Sequence, residues 1–203
     1  MTLLDRFIAA VTPPESEEDR LEARTKAAGA AMPGDWLDQI LQHHMDIEDA
    51  FASIKAATDA SSRTAALKEL SVRLTGHAIA EEAVIYPALA QDGEKTHAGM
   101  GYDEQAMTKV QMALLEQLPP MSDDFMEKLE HIEGAVAHHV YAEEGNWFLD
   151  LKKNASDEQQ VLLTQRYAEE YARYVGDDAP DSASASASDS SMSASLPLQA
   201  MER

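Results

Sequence analysis

The sequence predicts an all-α protein: four bundle helices, preceded by an N-terminal helical arm and followed by a fifth helix. Three observations carry this. Ala, Leu, Met, Glu and Gln dominate while β-branched residues are thin, a composition that favours helix. No run alternates apolar and polar residues as a half-buried strand would. Several segments repeat apolar residues at steps of three and four, the stripe that a bundle helix turns inward. At 203 residues the chain is one domain plus extras, by the usual prior of roughly 100 to 200 residues per domain.

Taken in order, residues 2–11 place Leu3, Leu4, Phe7, Ile8 and Val11 on one side before Pro13-Pro14 breaks the pattern. Ser16 then reads as the cap of a second, highly charged helix. Residues 1–34 are accordingly expected to form an arm that packs on the bundle. Met32-Pro33-Gly34-Asp35 is a punctuated entry with Asp35 as N-cap. The first bundle helix follows, with Leu37, Ile40, His44, Ile47, Phe51 and Ile54 on its inward stripe and His43 beside it. After a polar turn near Ser61-Ser62, the second carries Leu67, Leu70, Leu74, His77, Glu81 and Ala88 inward and is expected to end at Tyr86-Pro87, since a residue before proline is disfavoured in helix. Glu82 lies beside the stripe.

Residues 91–101 read as a loop with His97 exposed. The third bundle helix is expected from about Tyr102 to Leu118, with Tyr102, Gln105, Met112 and Leu115 on one face. Met107, Val110 and Leu114 make a second apolar face, expected to lie under the N-terminal arm. Pro119-Pro120 and Ser122 introduce the fourth helix, whose stripe is Phe125, Leu129, Ile132, Val136, His139 and Glu143. His131 and His138 fall off that stripe, Glu144 parallels Glu82, and Trp147 and Phe148 close the helix. The bundle spans residues 35–153. The fifth helix, residues 154–176, starts at Ser156 and presents Leu163, Tyr167, Tyr171 and Tyr174 for packing. Residues 177–203 repeat Ser and Ala, a composition expected to stay disordered, with Leu196, Leu198 and Met201 as a small docking group.

The chemistry lies in two matching stretches, His77-Ala-Ile-Ala-Glu81-Glu82 and His139-Val-Tyr-Ala-Glu143-Glu144. On a helix, His and Glu four residues apart share a face. Both pairs sit on inward stripes where leucines are expected, and buried carboxylates are costly without a partner. A bound cation would satisfy both. His44 occupies the matching place on the first bundle helix, and helix bundles build metal sites from such inward side chains. Nitrogen and carboxylate donors without sulfur suit iron, manganese or zinc. The pattern leaves open whether one ion or two are held.

The net charge of −21 argues against nucleic acid, whose binding rests on phosphate neutralisation by Lys and Arg, and against an anionic membrane surface. No stretch approaches the roughly 18 apolar residues of a membrane span. The N-terminal residues lack a basic lead and a small-residue cleavage site, so a cytoplasmic location is expected. With no cysteine there is neither a disulfide framework nor a thiolate ligand.

From about Asp35 to Lys153 the sequence resembles the hemerythrin-like (HHE cation-binding) proteins, through His44, His77-x-x-x-Glu81-Glu82 with Tyr86-Pro87, and His138-His139-x-x-x-Glu143-Glu144. The resemblance implies an up-down four-helix bundle around two non-haem iron ions, oxo- and carboxylate-bridged. Glu81 and Glu143 would be the bridging carboxylates and His44, His77 and His139 the terminal ligands. The chain departs from the family on the third helix, which reads Tyr102-Asp103-Glu104-Gln105 where a histidine is expected. Tyr102 is the favoured substitute ligand, with Gln105 or water as the alternative.

A phenolate favours Fe(III), which disfavours reversible O2 carriage. The expected function is therefore reaction with, or sensing of, small oxidants (hydrogen peroxide, nitric oxide, O2), with the metal as Lewis acid and redox partner. No separate acid or base side chain is required. Glu82, Glu144 or Asp103 would orient the ligands. The alternative is an iron-binding sensor without turnover that passes its state through the tail or the arm to a protein partner.

Overall fold

The computed structural model describes residues 15–176. The amphipathic helix expected over residues 2–11 and the tail of residues 177–203 lie outside the described residues. Those described are helical apart from short connections, with no strand among them. Helix α1 is Glu17–Ala30, α2 Trp36–Ala56, α3 Ala60–Ala80, α4 Tyr86–Gln91, α5 Lys95–Leu115, α6 Asp123–Ala142, α7 Phe148–Asn154 and α8 Asp157–Val175. Between α3 and α4 lies one widened π-helical turn, Glu81–Ile85, and a second, Glu143–Trp147, joins α6 to α7.

The four bundle members are thus α2, α3 continuing into α4, α5, and α6 continuing into α7. Side chains fix their starts: Asp35 accepts from the Asp38 amide, Asp59 from those of Ser61 and Ser62, and Ser122 from that of Phe125. Helices α1 and α8 begin with reciprocal capping boxes, Ser16 with Asp19 and Ser156 with Gln159. Both pack outside the bundle. Helix α1 lies against the second π turn, α2 and α7, and α8 lies along α3 and α2. Gly76 permits the α3–α8 approach: a Cβ there would stand 2.5 Å from Cγ2 of Val175.

The core divides into two apolar clusters. One gathers Trp36, Leu37, Ile85, Tyr86, Phe148 and Tyr167, and the other Ile47, Phe51, Leu70, Leu115, Phe125 and Ile132. Along the chain, His44, His77, Glu81, His139 and Glu143 fall between members of the two, so polar side chains sit with hydrocarbon on both sides.

Three expectations change. The stretch 91–101 is largely helix: α5 begins at Lys95, Ala98 and Gly101 are buried, and His97 stacks on Trp147 with ring centroids 5.4 Å apart. Packing against Tyr86 overrides the weak helix propensity of Gly99 and Gly101. The second helix also runs on past Pro87, with Tyr86 itself helical at φ −64° and ψ −36°. The widened turn carries the Tyr86 amide to the Glu81 carbonyl, five residues back, and so eases the clash that proline makes in a regular helix. The second apolar face of α5 is not under α1: Val110 and Leu114 are exposed.

Candidate metal centre

Three imidazoles and two carboxylates meet between the clusters. His44 comes from α2, His77 from the end of α3, His139 from the end of α6, and Glu81 and Glu143 from the first residue of each π turn. Ligand atoms of His44, His77, Glu81 and Glu143 all lie within 4.8 Å of one another. His139 adjoins them, its Nε2 3.2 Å from Oε1 of Glu143. His77 Nε2 lies 3.2 Å from Oε2 of Glu81, and His44 Nε2 lies 3.4 Å from Oε2 of Glu143. His44, Glu81 and Glu143 are fully enclosed, at 0 % exposure.

Every one of the three rings is gripped from outside by its Nδ1. His44 Nδ1 donates to Glu144 Oε1 at 2.8 Å, and His139 Nδ1 to Glu104 Oε2 at 2.7 Å. His77 Nδ1 meets the Tyr167 hydroxyl at 3.1 Å, and that hydroxyl meets Nδ1 of His43 at 2.9 Å. Fixing one ring nitrogen sets the tautomer and leaves the other free, the arrangement seen around metal-ligating histidines. All three Nε2 atoms consequently face the carboxylates.

The third helix supplies Gln105 and, through its packing, Tyr86. Gln105 Nε2 donates to Oε2 of Glu81 at 2.6 Å and to the Tyr86 hydroxyl at 2.8 Å. The buried Tyr86 hydroxyl lies 2.9 Å from Glu143 Oε1 and 3.2 Å from both Glu81 Oε2 and His139 Nε2. One phenol proton cannot serve three acceptors at once. Tyr102, expected as a ligand, lies elsewhere: its hydroxyl donates to the backbone carbonyl of Glu82 at 2.7 Å, and the residue is 39 % exposed. The physical reason is the π turn, which brings Tyr86 inward and leaves Tyr102 packed edge-on against its ring, centroids 5.2 Å apart.

Glu82 pairs with Lys109 at 2.6 Å, away from the centre. Glu144, its counterpart, is buried and joins His44 to Arg24. Glu104, rather than its neighbour Asp103, takes the place beside His139. Glu104, Tyr86 and Tyr167 were not legible as site residues, and a tyrosine at helical spacing carries no signal that separates such a role from packing.

Charge in this pocket is far from its solution state. Burial pushes the His44 imidazole down, but the hydrogen bond it makes to Glu144 and the adjacent carboxylate of Glu143 outweigh burial and lift the pKa to about 9. His139 rises in the same way, against burial, through Glu143 and Glu104. His77 falls well below its usual value through burial and the nearby His44 charge, and His43 falls to about 3, mainly through burial. Burial and Glu143 raise Glu81 well above the carboxylate range, whereas Glu143 stays low because His139 and His44 overcome its burial.

Three buried atoms of the cluster lack any hydrogen-bond partner: His44 Nε2, Glu81 Oε1 and Glu143 Oε2. Orphaned buried polar atoms cost roughly 1 to 3 kcal/mol each, and all three are metal donors. The donor set therefore fits a cation. Next to it, a cavity of about 150 Å³ reaches His77, Gln105 and His139 past Leu74, Met112 and Val136.

A helical bundle with converging imidazole and carboxylate donors defines a class, the bundle proteins that hold cations within their core. Residues 36–151, more than half the chain, match the hemerythrin HHE cation binding domain. The chain belongs to that family. It is similar to a DNA nickase of Nostoc sp., 26 % identical over 134 residues, covering 66 % of this chain and 37 % of that protein. It is also similar to an uncharacterized hemerythrin-like protein of Schizosaccharomyces pombe, 23 % identical over 134 residues, covering 64 % of this chain and 66 % of that one. The chain thus spans about a third to two thirds of these relatives. No solved structure matches it. No helix among the described residues is long and apolar enough to cross a membrane.

Proposed function

We propose that this chain holds two non-haem iron ions and reacts with, or senses, small oxidants such as hydrogen peroxide, nitric oxide or O2, in the cytoplasm. The observation that carries the reading is the convergence of three Nε2 atoms on two buried carboxylates, with His44 Nε2, Glu81 Oε1 and Glu143 Oε2 left without partners. His44, His77 and His139 would be terminal ligands, with Glu81 and Glu143 between the ions. Iron there would supply Lewis acidity and one-electron redox chemistry.

The chain's own residues do the rest. Glu144, Tyr167 and Glu104 orient the imidazoles. The two apolar clusters exclude water, and the cavity of about 150 Å³ admits only small molecules. Tyr86 places a hard phenol oxygen among the carboxylates, and a phenolate favours ferric iron over the diferrous state that an O2 carrier needs. A nickase activity is not carried over from the Nostoc relative, since the net charge of −21 opposes phosphate binding.

Metal analysis and visible spectroscopy of the purified chain test the reading, together with peroxide and nitric oxide assays. Two irons per chain, and turnover that exceeds an equal amount of free iron and falls in His77→Ala, are the expected results. Stoichiometric binding without turnover supports the sensor reading, and absence of stoichiometric metal overturns both.

A further inference from the structure

We propose that Arg24 on α1 is a positioning residue of the metal centre, acting on His44 through Glu144, so that a helix outside the cation-binding domain completes the ligand shell. The inference rests on the metal reading above and goes beyond it, because α1 precedes the matched residues 36–151.

Helix α1 offers the bundle a small apolar contact. It is strongly polar and buries only Ala23 and Ala27. Arg24 makes its side-chain hydrogen bonds to the bundle, beside the packing of Ala23 and Ala27 and the Glu15–His138 contact just ahead of the helix. One edge of the guanidinium grips Glu144, with Nε 3.2 Å from both carboxylate oxygens and Nη2 3.1 Å from Oε1. The other edge grips Glu48 of α2, Nη1 to Oε2 at 2.8 Å and Nη2 to Oε1 at 2.7 Å. A planar fork fixes two carboxylates in position in a way that a lysine cannot.

Glu144 belongs to the π turn that also carries Glu143, and α1 lies on that turn, with the place of a Gly145 Cβ 3.5 Å from Cβ of Ala23. Glu144 is fully buried, and its Oε1 accepts from His44 Nδ1 at 2.8 Å. Arg24 therefore holds the carboxylate that sets the tautomer and direction of His44, whose Nε2 points unpartnered into the cluster. Removing such a partner typically lowers metal affinity by roughly 10- to 100-fold. Metal affinity and α1 docking are linked reciprocally by the same contact.

The test compares Arg24→Ala, Arg24→Lys and Glu48→Gln in the full chain. Ferrous iron affinity is measured by chelator competition, and the His44 Nδ1–H resonance is followed by NMR in the metal-free protein. Glu48→Gln loosens the other half of the α1 attachment without touching Glu144, and so separates positioning from docking. Expected are a roughly 10- to 100-fold loss of affinity in Arg24→Ala, a smaller loss in Arg24→Lys, a near-native Glu48→Gln, and a displaced His44 resonance in the two Arg24 variants alone. Hydrogen exchange in α1 should slow when iron is added to the native chain only. Native affinity and a native resonance in Arg24→Ala overturn the proposal, as does an equal loss in Glu48→Gln. If the native chain takes no iron, the metal reading fails by itself and the resonance decides the positioning claim.

Discussion

Gly101→Ala tests the placement of Tyr86 more directly than any change at the ligands. A Cβ at residue 101 would lie 2.7, 2.9 and 3.0 Å from Cζ, Cε2 and Cε1 of the Tyr86 ring, where carbon atoms pack at about 3.5 to 4.0 Å. The ring is fully buried and has Tyr102 against it, so α5 or the ring must shift by about 1 Å. Overpacking of this kind costs about 1 to 3 kcal/mol. Loss of one of the hydrogen bonds that the Tyr86 hydroxyl makes with Glu143 and Gln105 adds about 1 kcal/mol. Against this, replacing a helical glycine by alanine gains about 1 kcal/mol. The net expectation is a loss of about 1 to 3 kcal/mol in urea unfolding of the metal-free chain, or roughly 3 to 10 °C in Tm for a chain of this size. In a Tyr86→Ala background the same substitution should cost nothing, since the obstructing ring is gone. A Gly101→Ala protein as stable as native would refute the placement of Tyr86, and with it the phenol in the cluster.

Tyr167→Phe removes the hydroxyl shared by His77 and His43. It should weaken iron binding by roughly 10- to 100-fold in chelator competition, while Tyr171→Phe should not. Glu81→Gln takes one carboxyl out of a crowded apolar pocket, so the metal-free chain should be equally or more stable in urea. The same variant should lose the iron-dependent rise in Tm, which at 100 times Kd is worth about 2.7 kcal/mol in the native chain. Histidine linkage should give the metal-free protein a stability maximum near pH 6.5. His44, raised to about 9, contributes stability that is complete below its unfolded value and is lost as pH climbs toward 9, up to about 3 kcal/mol. His43, lowered to about 3, contributes above pH 6.5 and loses it as pH falls. Urea titrations at pH 5, 6.5 and 9 check this, and His44→Gln should flatten the alkaline limb.

The all-helical bundle was legible because its signals are local and repeated: caps at Ser16 and Asp35, breaks such as Pro119-Pro120, and stripes at steps of three and four. The two His-Glu pairs were legible for the same reason, since four residues on a helix fix their common face. Tyr102 was misplaced because it was read from its place one turn before Gln105 on the third helix. The phenol beside Gln105 comes instead from Tyr86, which the π turn after Glu81 brings inward out of regular helical phase. Regular helical phase carried unbroken past Glu81 put Ala88 inward, whereas Tyr86 and Leu89 are the buried residues and Ala88 is only partly covered. Residues outside the bundle posed a different difficulty. Arg24 and Tyr167 reach the centre across 120 and 90 residues of chain, and nothing in their local pattern separates them from a solvated arginine or a packing tyrosine.

The π turns bind these observations together. Each opens on the glutamate of a His-Glu pair, and each inserts one residue into the helical phase. The buried apolar positions after Glu81 are Ile85, Tyr86 and Leu89, and after Glu143 they are Trp147, Phe148 and Leu151, the same offsets on both helices. Two aromatic residues, Tyr86 and Phe148, thereby take equivalent buried positions, one with a hydroxyl that reaches the carboxylates and one without. The side with Tyr86 is also the side where α5 offers Gln105 and no histidine, so phenol and amide together fill space that an imidazole would need. A histidine at position 105 would have to displace the Tyr86 hydroxyl from Glu81. Gln105→His alone is therefore expected to destabilise the metal-free chain, and Gln105→His with Tyr86→Phe to be tolerated better. If the double variant proves no more stable than the single in urea, the exchange of imidazole for phenol is not what shaped this side of the centre.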